Sequence, residues 1–94
     1  KNESDWRPSK FATKHGRLCV GGTTLKSSWL VTQLIADGYQ ARIPRYARRR
    51  LLDLGCGSVP LYEAYRPLIE SVTCVDWSIS AHGSSHIDVA HEVF

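Results

Sequence analysis

Residues 51–57, Leu-Leu-Asp-Leu-Gly-Cys-Gly, hold the densest chemistry in this chain of 94 residues. An apolar run ends in Asp53, and Gly55 and Gly57 follow with Cys56 between them. Glycines so placed after a strand let a ligand approach the backbone closely and are expected to offer N–H donors at a helix start. Asp76 lies 21 residues after Gly55, the spacing at which an acid at the next strand end accepts hydrogen bonds from ribose hydroxyls. A third acid, Glu92, falls just past a third apolar segment, with Asp88 as the alternative. Open α/β sheets bind ligands beyond the carboxyl ends of their strands, and three strand ends here each present a candidate. The predicted ligand is a nucleoside. NAD is disfavoured, because its G-x-G-x-x-G pattern needs glycine where this chain has Pro60; a P-loop is excluded by the lack of G-K-[ST].

These residues need elements to position them. Ser27 or Ser28 is a plausible N-cap. Trp29, Leu30, Leu34, Ile35 and Gly38 then recur close to a helical stripe, predicting a helix over 27–41 with Trp29 in the core. It is expected to end before Pro44. Residues 50–54 are short, mostly apolar and not alternating, as in a strand buried on both faces. Residues 59–67 read as a helix of about two turns, with Pro60 tolerated in its first turn and Glu63 suited to its N-terminal end. Residues 71–76 form a second, β-branched strand and 86–91 a third. Strands alternating with helices imply an α/β, Rossmann-like parallel sheet with right-handed crossovers. Residues 1–22 read as an N-terminal arm, with Leu18-Cys19-Val20 as a strand or a docking contact, ahead of a domain over 23–94. The crossover at 77–85 is too short for a regular helix. Three strands, against about six in a doubly wound sheet, suggest the first half of such a fold, and the absence of methionine suggests a partial chain.

Composition narrows the class. With 43% hydrophobic and 22% charged residues the chain is ordinary for a globular domain. No run nears the ~18 apolar residues of a membrane span, and the first ten residues lack a signal-peptide core. Cys19, Cys56 and Cys74 form neither a C-x-x-C pair nor an even set, so reduced thiols in a cytoplasmic setting are expected. Cys56 is read as a small buried residue rather than a nucleophile. His82, His86 and His91 have helical spacing, but Gly83, Ser84 and Ser85 argue against a helix there, and no metal site is predicted. Arg42, Arg45, Arg48, Arg49 and Arg50 fall within nine positions. A solvated basic face is the plainer reading, since nucleic-acid binders interleave more aromatics than Tyr46.

"LLDLGCG" followed by "VTCVDWS" resembles the first two motifs of the class I S-adenosylmethionine-dependent methyltransferases. The resemblance spans 23–94 and is densest over 50–77. It implies a cofactor, S-adenosyl-L-methionine, held by Gly55, Cys56 and Gly57 at the turn with Asp53 before it. It further implies Asp76 at the ribose, Trp77 against the adenine and Glu92 by the adenine amine. In that family the third position of a G-x-G-x-G turn eases packing; here it is Val59. The helix at 27–41 matches one that covers the cofactor. The resemblance names no catalytic residue, because the acceptor side of the fold lies beyond the matched motifs. A small-molecule or glycan methyl acceptor is expected, with RNA as the alternative. A nucleoside-binding or dimer-forming module without catalysis is the rival reading.

Overall fold

The computed structural model describes residues 1–78 and 85–91. Two strands, β1 (Phe11–Lys14) and β2 (Arg17–Val20), form an antiparallel hairpin. Helix α1 (Trp29–Tyr46) follows, then β3 (Arg50–Leu54), a short α2 (Tyr62–Tyr65), β4 (Ser71–Trp77) and β5 (Val89–His91). The last three strands make one parallel sheet in the order β3-β4-β5. The protein is thus a small α/β domain with a three-stranded parallel sheet. Among the described residues no helix is long and apolar enough to cross a membrane.

The stretch read as an arm is where structure departs most from expectation. His15 and Gly16 both take positive φ, 53° and 74°, the two-residue turn whose twist suits a hairpin. Phe11, Leu18 and Val20 are buried, and β2 packs on α1. Ahead of the hairpin, the Trp6 indole donates to the Val59 carbonyl at 2.9 Å and packs on Tyr62, ring centroids 5.2 Å apart. Lys1 pairs with Asp88 at 3.1 Å and also donates to the Val72 carbonyl. Sequence periodicity carries none of these contacts, and those of Lys1 and Trp6 join residues more than 50 positions apart.

Helix α1 runs past its predicted end. Pro44 sits inside it, and the last turn still closes, because the Ala47 N–H reaches the Ile43 carbonyl at 2.8 Å. The expected core stripe faces outward: Leu30 and Leu34 are more than 60% exposed and Trp29 is 53% exposed. The helix buries Thr32 and Ala36 instead, because the hairpin approaches closely enough to need small side chains. The sheet is likewise covered on one side. Leu51, Val72 and Cys74 pack with Cys56, Val59, Tyr65 and Ile69, whereas Leu52 and Leu54 stand exposed on the other side. Burial of β3 on both faces is therefore corrected to burial on one, since no element among those described packs over Leu52 and Leu54. The predicted helix over 59–67 shrinks to one α-turn and a 3-10 turn at Arg66–Leu68, for Val59 has φ of 54° and Pro67 lacks an N–H. The third strand starts at Val89 rather than 86; Asp88 joins the sheet differently, its carboxylate accepting the Cys74 N–H at 2.8 Å.

The inverted helix makes a clear prediction. Ala36→Leu is expected to cost about 1–3 kcal/mol by overpacking, whereas Leu34→Gln stays within about 0.5 kcal/mol. Urea unfolding of the two variants reads the difference; the order reverses if the apolar stripe is the buried face.

Candidate functional site

Strand β3 delivers the chain into the glycine turn, and β4 delivers the acid that holds it. Gly55 and Gly57 both have positive φ, 72° and 53°, a conformation that costs a side-chain-bearing residue about 1–2 kcal/mol. A Cβ on Gly55 would meet nothing within 4 Å. The backbone conformation, not crowding within the chain, is what asks for glycine here, and the space beside it is open to a ligand.

The turn's hydrogen bonds run inward. The Gly55 and Cys56 N–H groups both donate to the Val75 carbonyl, at 2.8 and 3.1 Å. The Gly57 N–H donates to Asp76 Oδ2 at 2.5 Å, and Oδ1 of the same carboxylate accepts the Trp77 N–H at 2.7 Å. This corrects the expectation that the turn offers N–H donors outward: Gly55, Cys56 and Gly57 spend theirs on β4. Asp76 is correspondingly buried. The two-glycine turn and the acid 21 residues on are one structural unit, a relation the sequence spacing indicated without giving its geometry.

Asp53 is half-buried and accepts the Tyr65 hydroxyl at 2.9 Å. Burial is the main cause that raises its carboxyl above the ordinary range, the Tyr65 hydrogen bond opposes this, and the Asp76 charge adds to it. Tyr65 is itself buried, and burial together with the Asp53 charge pushes its phenol up. Cys56 is buried and its thiol is pushed up to about 12, chiefly by burial, so it carries no thiolate to act as a nucleophile. Trp77, one residue past Asp76, points to the opposite face of the strand and is 45% exposed. Glu92 and His82 lie outside the described residues. His86 is buried and meets Tyr62 edge-on at 5.5 Å.

The hairpin supplies the rest of the site. Ser9, Lys10 and Thr23 line an open recess of about 450 Å³ together with Gly55, Gly57 and Pro60. Sequence reading missed these three, and only the two-residue His15-Gly16 turn signalled that chain on either side of the hairpin returns to one place. Lys10, whose Nζ lies 5.7 Å from the Phe11 ring centroid, is the charged residue of this lining.

Val59 occupies the third position of the turn. It is fully buried with φ of 54°, an outlying conformation for a β-branched residue. Its N–H donates to the Cys56 carbonyl at 2.7 Å, and its carbonyl takes the Trp6 indole. Glycine at this position would therefore relieve the backbone while giving up the buried side chain's packing.

Comparison of the chain with protein-family models, curated proteins and solved structures returned no match.

Two expectations follow. Val59→Gly should retain about 1 kcal/mol more stability than Val59→Ala, reversing the usual order, because only glycine removes the left-handed penalty; denaturant unfolding checks it. Asp53 has a folded pKa raised above its unfolded one, so the native state binds the extra proton and stability falls as pH rises between the two values. Asp53→Asn should therefore be more stable than wild type at pH 7, the gain vanishing as pH drops below about 3.9. Thermal melts across pH 3–7 measure that convergence.

Proposed function

We propose that the recess binds S-adenosyl-L-methionine and that the chain serves a class I methyltransferase, as the first half of its Rossmann-like sheet. The observation that carries this reading is the electrostatic character of the glycine turn. Its N–H groups face inward, while two carboxylates, Asp53 and Asp76, stand at the carboxyl ends of β3 and β4. A pyrophosphate needs outward N–H donors and is repelled by carboxylates. A ligand bearing an ammonium and a sulfonium is attracted by them.

The donor set fits such a cofactor. Open space beside Gly55 admits its amino-acid portion against backbone, and Lys10 in the recess lining suits a carboxylate. Asp76 keeps lone pairs for ribose hydroxyls, since each oxygen accepts one N–H and a carboxylate offers about four acceptor sites. Trp77 offers an aromatic surface next to it, and Glu92 stays a candidate for the adenine amine. Bound here, the cofactor supplies an electrophilic methyl group on sulfur. The chain's own share is positioning: it fixes the turn, keeps the Asp53 and Asp76 carboxylates behind the recess wall, where their field favours a cationic ligand, and limits water on one side.

A second reading is an association module, favoured by the exposed apolar residues of α1 and β3, whose uncovered faces suit contact with another chain.

Calorimetric titration separates these. S-adenosylhomocysteine is expected to bind the wild-type chain and NAD not to bind. Asp53→Asn is expected to weaken S-adenosylmethionine more than S-adenosylhomocysteine, because only the former carries the sulfonium charge. Absence of heat with both sulfur ligands would refute the cofactor reading.

A further inference from the structure

The hairpin, the C-terminal half of α1 and α2 enclose a second cavity of about 240 Å³, which shares no lining residue with the recess at the glycine turn. Ile43, Pro44 and Leu68 give it an apolar wall. The remaining wall gathers acceptors. Glu63 holds the Thr13 N–H through Oε2 at a long 3.3 Å, and among the described residues no cation pairs with it. Thr13 Oγ1 is buried and has no hydrogen-bond partner among the described residues. Gln40 also lines it, its side-chain oxygen accepting the Leu18 N–H at 2.7 Å, while its backbone carbonyl has no i+4 donor because residue 44 is proline. Tyr39 lines the same cavity.

We propose that this cavity binds a small organic ammonium ion, with its –NH₃⁺ group at Glu63 and a short apolar body against Ile43, Pro44 and Leu68. A carboxylate without a cation beside an apolar wall is costly, and an ammonium brings three donors and no acceptor. The Tyr39 ring adds cation–π attraction. An anion of the same shape is repelled by Glu63, and a neutral alcohol leaves that charge uncompensated. The volume lies below the ~300–1,000 Å³ of drug-sized pockets, so the ligand is about as large as benzylamine. Pro44 and Pro67 both line the cavity and bring no N–H of their own to it.

The test is an NMR titration of amide resonances at pH 7, with benzylammonium as probe and benzyl alcohol and benzoate as isosteres. Saturable shifts are expected at the Thr13, Gln40 and Ala64 amides with benzylammonium. Benzyl alcohol should bind roughly tenfold more weakly or worse, as for loss of a charged hydrogen bond, and benzoate not at all. Glu63→Gln should lose the same factor, and Leu68→Trp, which narrows the cavity, should abolish binding while the amide spectrum stays dispersed. Equal affinity for alcohol and ammonium, undiminished binding by Glu63→Gln, or no saturable shift in the wild type would overturn the proposal. The isostere series uses the wild-type chain, so it decides even where a variant unfolds. Because the probe lacks any nucleoside, its outcome is independent of the glycine-turn recess.

Discussion

The Asp76 carboxylate is the constraint on which the site depends. One of its oxygens takes the Gly57 N–H and the other the Trp77 N–H, so the last residues of β4 and the turn after β3 are fixed to each other by a single side chain. The Val75 carbonyl beside it accepts two further turn N–H groups. Parallel pairing of β3 and β4 brings these atoms into register, with Leu54 opposite Val75. A charge-assisted hydrogen bond of this kind, shielded from water, is about twice as strong as a neutral one. The positive φ angles at Gly55 and Gly57 are the conformational cost of turning those N–H groups inward. The outward surface that results is open and is not lined by turn N–H donors, and the two carboxylates lie behind it at the strand ends.

Sequence spacing made this unit legible because the relation is local to one β-turn-β segment. Asp53, the two glycines and Asp76 recur at distances set by strand length and crossover length, and those are short-range properties. What the spacing left out is direction: a G-x-G turn can present its amides outward or inward, and only the Asp76 and Val75 contacts decide. Cys56 was legible as inert for the same local reason, sitting between two glycines that fold it beneath the turn.

The misread parts share one physical cause, which is partner identity. The stripe on α1 followed helical period, yet the hairpin that meets this helix takes Thr32 and Ala36, and the large apolar residues are left outside. Residues 1–22 looked like an arm because each of their contacts, Trp6 to Val59, Lys1 to Asp88, β2 to α1, is long in sequence. Strand β3 reads as doubly buried because parallel strands usually are; its outer face, Leu52 and Leu54, together with Leu30 and Leu34 of α1, gives this small domain more exposed aliphatic surface than its core would suggest. Those faces are where further packing would add most stability.

The central claim is that the latched turn receives a cationic sulfur nucleoside. The most direct measurement follows the backbone amides of Gly55, Gly57 and Trp77 by NMR as S-adenosylmethionine is added, with NAD as the comparison. The account predicts saturable shifts at these three amides with S-adenosylmethionine and none with NAD. Unmoved turn amides under S-adenosylmethionine, or an equal response to NAD, would contradict it.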